Sequence, residues 1–153
     1  MRKDFRFREI PYNYTSFSDR EIILKYFDDG MLDILERLRA MRVTGRSAKL
    51  LFEIIGDVFI IDRNPYIFDD LLDNPGKLRR LRRLHEARLA IIARGAGGND
   101  LVERMVAKTR AMQEDFFARF RIQSQFRAKT LRALGRETAR ANVLFSAFHK
   151  VAH

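Results

Sequence analysis

The sequence of 153 residues contains no cysteine. Disulfides, cysteine-based zinc sites and thiolate-held iron–sulfur clusters are therefore excluded within it. It also lacks an apolar run of the ~18 residues needed to span a membrane. The first eight residues are basic but have no apolar core, so they do not form a secretory signal. Asp4 and Glu9 argue against an arginine-rich transit peptide. The expected compartment is the cytoplasm, with at most a peripheral contact at the inner membrane. Only three prolines and eight glycines are present, so long helices are permitted.

Apolar residues make up 46% of the chain, enough for a real core. The formal net charge of +10 is lopsided. Residues 1–74 carry 12 Lys/Arg and 14 Asp/Glu, whereas residues 75–153 carry 18 and 6. The shift falls at Asn74-Pro75. A basic half calls for an acidic partner: nucleic acid, an anionic membrane face, an acidic protein surface or the chain's own acidic stretches.

Residues 1–17 read as an extended arm that lays Phe5, Phe7, Tyr12, Tyr14 and Phe17 on an apolar surface. Ser18-Asp19-Arg20-Glu21 is a capping box that opens a helix. Asp28-Asp29-Gly30 ends it and starts a second, with Met31, Leu32, Leu35 and Leu38 on one side. Thr44 or Ser47 is a candidate N-cap for a short amphipathic helix, and Gly56 stands where a C-cap glycine belongs. Val58-Phe59-Ile60-Ile61 fits a short buried strand or a continuing buried helix, and periodicity alone does not decide. Asn64-Pro65 is an N-cap followed by an N1 proline, and Asn74-Pro75 repeats the pattern.

Asp57, Asp62, Asp69, Asp70 and Asp73 invite a catalytic or metal-binding reading. Asp69 and Asp70 are adjacent on a helix and point to different sides, and no histidine precedes position 85. These acids are better read as solvated or paired with the basic second half.

Residues 77–94 form one helix with Leu78, Leu81, Leu84, Leu89 and Ile92 as apolar positions. Its seven cations cannot share one face. A helix laid along DNA or an anionic membrane is one reading; a solvated helix is the other. The glycine-rich run after Arg94 comes after a helix rather than a strand, so it reads as a linker and not as a phosphate loop. Asn99 then caps the longest helical pattern, residues 100–134. Val102, Met105, Thr109, Met112, Phe116, Phe120, Gln123, Phe126 and Thr130 recur along it every three or four positions, an imperfect coiled-coil seam. Gly135 is expected to break or kink it before a last helical stretch. His149 and His153 stand at i, i+4, a weak metal signal without a carboxylate nearby.

Ile10-Pro11-Tyr12-Asn13-Tyr14-Thr15-Ser16-Phe17 with the capping box, Thr44-Gly45-Arg46-Ser47-Ala48, Gly56-Asp57, Arg63-Asn64-Pro65-Tyr66 and Asp69-Asp70-Leu71-Leu72-Asp73-Asn74-Pro75 resemble the opening of very large bacterial FAD/FMN-dependent oxidoreductases. The run from Thr138 through Phe145 to His153 resembles the segment that leads into their flavin-binding domain. In that family this region is a domain of unknown function. The remainder of those proteins, C-terminal to this region, is similar to D-lactate dehydrogenase and glycolate oxidase subunits, with a cysteine-rich iron–sulfur part. The resemblance implies a parent enzyme that oxidises a 2-hydroxy acid, with FAD and iron–sulfur clusters bound beyond His153 and no catalytic, cofactor or metal site before it.

The expected fold is mainly α: a compact helical unit over 1–74, then a basic antiparallel hairpin over 75–153, with one candidate strand near 58–61. The expected role is a non-catalytic accessory domain that docks on the flavin-binding domain of the parent chain or mediates homo-oligomer assembly. Arg46, Arg63, Asn64, Tyr66 and Asp69 form the candidate interface cluster. The alternative is a stand-alone basic module that binds nucleic acid or an anionic membrane surface.

Overall fold

A computed structural model describes residues 18–43 and 45–152, with residues 148–152 described by their backbone alone. The aromatic arm of residues 1–17, the capping role of Thr44 and the His149–His153 pair fall outside what is described. Among the described residues there are six helices and no strand. They are α1 (Asp19–Tyr26), α2 (Asp29–Ala40), α3 (Gly45–Arg63), α4 (Pro65–Asp73), α5 (Pro75–Arg94) and α6 (Asp100–Ala152). The mainly α expectation holds.

α3 is the centre of the first helices. It packs on α1, α4 and α5. Leu51, Ile54, Ile55, Val58 and Phe59 along it are all buried. A helix covered on several sides is apolar around most of its circumference. For this reason the run from Val58 to Ile61 has no helical period to read. Of the two readings left open there, strand or continuing helix, the helix is the one found: the run is the last part of α3. Gly56, expected as a C-cap, lies buried within the same helix. Ser47 is also inside α3, not at its cap. Burial of Val58, Ile60 and Ile61 in an already propagating helix outweighs their β-propensity.

The helix starts are built largely as the sequence suggests. Glu21 N–H donates to Ser18 Oγ at 3.2 Å, and Ser18 N–H donates to Glu21 Oε2 at 3.3 Å. Asn64 Oδ1 accepts from Tyr66 N–H at 3.0 Å and Ile67 N–H at 3.3 Å, with Pro65 in the first helical turn. Asn74 differs. Pro75 opens α5, but the Asn74 side chain makes no cap bond and turns back to Asp70. Asn74 Nδ2 donates to the Asp70 backbone carbonyl at 2.9 Å and to its carboxylate at 2.8 Å, which turns the side chain away from the N-terminal amides of α5.

Gly95, Ala96, Gly97, Gly98 and Asn99 turn α5 back onto α6. Gly97 at φ 56° and Gly98 at φ 80° adopt the left-handed region, which glycine enters without steric cost. Asn99 Oδ1 then caps α6 by accepting from Leu101 N–H at 2.9 Å. Arg82 meets Glu114 and His85 meets Gln113, so α5 and the first part of α6 run antiparallel. Val102, Met105, Thr109, Met112 and Phe116 form the buried seam of this part. The Thr109 hydroxyl is satisfied by donating to Met105 O at 2.7 Å. Phe116 and Phe117 are buried as core aromatics.

The chain divides into two compact units after Phe117. The charge step at Asn74-Pro75 lies inside the first unit, at the junction of α4 and α5. The second unit is the remainder of α6. Gly135 does not break it: the helix continues through that residue, and a Cβ there would meet nothing within 4 Å. A helical glycine costs only about 1 kcal/mol relative to alanine, less than is needed to stop a long helix.

α2 ends in a Schellman motif. Val43 N–H donates to Leu38 O at 2.9 Å and Arg42 N–H to Arg39 O at 3.0 Å. Arg42 occupies the position that favours glycine, at φ 60°. Replacing Arg42 with Gly relieves the Cβ penalty and is expected to stabilise the fold by about 0.5–1 kcal/mol, after the added freedom of the unfolded chain is discounted. Urea unfolding of the two proteins checks it.

Asp28 caps α2 by accepting from Met31 N–H at 3.0 Å, and Lys108 Nζ lies 3.0 Å from its carboxylate. The Lys108 hydrogen bond, aided by the Met31 amide, holds the Asp28 pKa below its ordinary value. A depressed carboxylate contributes stability that is present above its unfolded pKa and lost as pH falls through the folded one. Lys108→Met should therefore move the Asp28 titration, followed by carboxyl NMR, upward and flatten the acid limb of the stability curve.

Candidate functional site

Three helices of the first unit contribute to one polar cluster. α3 supplies Glu53 and Asp57, α5 supplies Arg82, His85 and Arg88, and α6 supplies Gln113 and Glu114. His85 is 1% exposed. Its Nε2 lies 2.8 Å from Asp57 Oδ2. Its Nδ1 lies 3.0 Å from Gln113 Nε2 and 3.2 Å from Gln113 Oε1. Arg88 bridges the two acids of α3, with Nε 3.1 Å from Glu53 Oε2 and an NH1 donor 3.0 Å from Asp57 Oδ2. The Asp57 carboxylate thus accepts from two helix-borne donors at once.

The register explains the convergence. Glu53 and Asp57 stand at i, i+4 on α3, and His85 and Arg88 at i, i+3 on α5. Each pair shares one helix face, and the faces meet across the α3–α5 contact. Both imidazole nitrogens are engaged and the ring is buried. The second nitrogen meets an amide, not a hydroxyl or thiol, so nothing here activates a nucleophile. Among the described residues no three histidines or carboxylates converge as a metal-ligand set.

Beside this cluster lies a cleft of 450 Å³ between α5 and α6. It is lined by the buried His85, Gln113, Leu89 and Phe117 and by the exposed Arg82, Glu86, Arg110 and Glu114. Arg82 is 3.5 Å from Glu86 and 3.2 Å from Glu114, and its guanidinium lies 5.3 Å from the Phe117 ring centre.

The second unit offers a different surface. Ile122, Phe126, Leu134 and Leu144 are each more than half exposed. At 100° per residue they fall within one sector of the helix. Arg121, Lys129, Arg132, Arg136 and Arg140 fall within about 100° of one another on the adjoining side of the helix. Among the described residues none of these five makes an ion pair.

The structure separates the five residues of the candidate interface cluster. Arg63, Asn64, Tyr66 and Asp69 gather at the α3–α4 corner, where Arg63 lies 5.1 Å from the Phe59 ring centre and Tyr66 is 86% exposed. Arg46 is at the opposite end of α3, about 25 Å away by helix rise. The acids fall largely to internal pairing: Asp57 with His85 and Arg88, Asp62 with the Tyr26 hydroxyl at 2.8 Å, and Asp70 with Lys77 at 2.9 Å. Reading by motif misses His85, although its position carries a signal. It stands at the i+4 step between Leu81 and Leu89, on the apolar stripe of α5.

Asp57→Ala is expected to destabilise the protein by about 2–3 kcal/mol, because it leaves the buried His85 donor unsatisfied. The double replacement Asp57→Leu/His85→Leu should recover much of that loss, since two apolar groups replace two polar ones. Denaturant unfolding of the single and double variants measures the coupling.

No curated protein and no solved structure matches the chain. A family model described as "Protein of unknown function (DUF3683)" matches residues 5–118. With most of its length covered, the chain belongs to that family.

Proposed function

We propose that the chain is a non-catalytic accessory domain of a large FAD-linked 2-hydroxy-acid dehydrogenase, of the D-lactate or glycolate type, that passes electrons through iron–sulfur centres. Its docking element is residues 118–147, and the occupant is an acidic, apolar-centred surface of the flavin-binding domain in the parent chain. The flavin and the clusters belong to that parent and not to this chain. The α3–α4 corner, with Arg63, Asn64, Tyr66 and Asp69, is a second contact of the same domain, and Arg46 lies apart from it.

One observation carries the docking reading: an exposed apolar sector lies beside an uncompensated basic stripe on one helix. Residues 118–147 contain seven Lys/Arg and a single acid, Glu137. That charge opposes pairing with a second copy of the same helix and favours an acidic partner. Leu134 and Leu144 at 54% and 66% exposure would give up much apolar surface on docking. Full burial of such a side chain yields about 1.5–3 kcal/mol. The identity of the partner rests on the resemblance of residues 10–75 and 136–153 to the flavoprotein family.

Nucleic acid is the competing partner, favoured by Arg79, Arg80 and Arg83 on the outer face of α5. None of the three makes an ion pair among the described residues. The apolar sector argues for protein, since a duplex rewards cations and not exposed leucines.

The test uses the native polypeptide that carries this sequence. It should be much larger than 18.0 kDa and show flavin absorbance. Within it, hydrogen exchange over residues 118–147 should be slower than in the isolated chain of 153 residues. Arg132→Glu/Arg136→Glu should abolish that protection. Equal exchange in the two contexts would refute docking, and a colourless polypeptide of 18.0 kDa would refute the flavoprotein parent.

A further inference from the structure

We propose that the cleft between α5 and α6 binds a free amino acid with an apolar side chain. The site does not depend on the docking reading, because every lining residue belongs to the first unit.

His85 bonds only one end of the Gln113 amide at a time. The Asp57 carboxylate can only accept, so the proton between it and His85 sits on Nε2. If Nδ1 is bare, it accepts from the Gln113 amide nitrogen at 3.0 Å. The amide oxygen, 3.2 Å from the same nitrogen, then has no donor. If Nδ1 carries a proton, the oxygen accepts it and the amide N–H groups are left over. In both states one end of the Gln113 amide is not bonded by His85, in a side chain only 6% exposed that lines the cleft, and it is open to a partner there. Buried polar atoms of this kind are rarely left unpaired.

Charge is unevenly distributed along the cleft. Arg82 draws both Glu86 and Glu114 to itself, at 3.5 and 3.2 Å. One cation between two carboxylates leaves that end of the cleft net negative. Glu114 is the i+4 neighbour that would ordinarily neutralise Arg110, and it is turned toward Arg82. Among the described residues Arg110 makes no ion pair, so the other end is net positive. A zwitterion meets both ends: its carboxylate faces Arg110 and its ammonium faces Glu86 and Glu114. It also supplies both a donor and an acceptor, and so satisfies Gln113 in either state of His85.

Leu89 and Phe117 give the cleft an apolar side, and 450 Å³ is within the range of small-ligand sites, large enough for leucine or phenylalanine. Those two amino acids are the probes of choice.

The experiment is titration of the full chain with L-phenylalanine and L-leucine, followed by NMR shifts of the Gln113 side-chain amide and the Phe117 ring. Saturable shifts at up to millimolar concentration are expected. 3-Phenylpropanoate lacks the ammonium and phenethylamine lacks the carboxylate; each should bind at least about tenfold more weakly than phenylalanine. Arg110→Met, at an exposed position, should keep the thermal midpoint and weaken phenylalanine while sparing phenethylamine. Glu86→Gln should do the converse, weakening phenylalanine and sparing 3-phenylpropanoate. The proposal is overturned if neither amino acid shifts the cleft signals, if a half-ligand binds as well as the zwitterion, or if both variants bind phenylalanine unchanged.

Discussion

The first unit depends on how the buried imidazole of His85 is satisfied. Removing a polar ring from water is unfavourable unless each polar atom finds a partner. Here the partners come from two other helices, Asp57 on α3 and Gln113 on α6. Apolar packing of α5 on α3 would tolerate sliding by a turn, because leucines and isoleucines recur every three or four residues on both. The hydrogen bonds would not. Moving α5 by one turn would place Leu81 or Leu89 opposite Asp57 and leave a carboxylate facing an apolar side chain. The polar cluster therefore sets the register that the hydrophobic surfaces leave open.

Arg88 makes that arrangement electrostatically tolerable. Asp57 and Glu53 lie one turn apart on α3 and would repel each other across a partly shielded space. Arg88, 18% exposed, spans them and binds both. Exposed pairs elsewhere, such as Asp33 with Arg37, add little by comparison. Charge in this chain thus has two uses. Lys77, Arg82, Arg88 and Lys108 pair inside the first unit with acids from other helices. Arg121, Lys129, Arg132, Arg136 and Arg140 make no ion pair among the described residues, and residues 118–147 carry seven Lys/Arg against one acid.

Legibility in the sequence depends on how local each determinant is. The capping box at Ser18, the Asn64-Pro65 helix start and the Asn99 cap are readable because each is decided within four residues. The end of α3 is not. Whether Gly56 stops a helix depends on what packs against Val58 to Ile61, and those contacts come from α1, α4 and α5. Asn74 fails for a similar reason: a competing acceptor one turn upstream captures its side chain. Gly135 fails in the other direction, since a residue that weakens a helix does not end one. The pairing of the first half's acids with the second half's bases is readable in outline from the charge step, but the individual partners are not.

His85 is the most instructive omission. Taken as a titratable residue, it has no neighbouring motif to mark it. Taken by position, it sits between Leu81 and Leu89 on the stripe that α5 buries, and a histidine on such a stripe must be satisfied from another helix. The first half holds five aspartates between positions 57 and 73, and only Asp57 has Glu53 one turn before it on the same face. A cation one turn after the histidine, Arg88, is then expected to share that acid. Both nitrogens of a buried imidazole need partners, however, and an amide that answers one of them has an atom left over. The constraint that fixes the register of α5 therefore also leaves one end of the Gln113 amide unbonded by His85 at the lining of the cleft, where the proposed ligand would meet it.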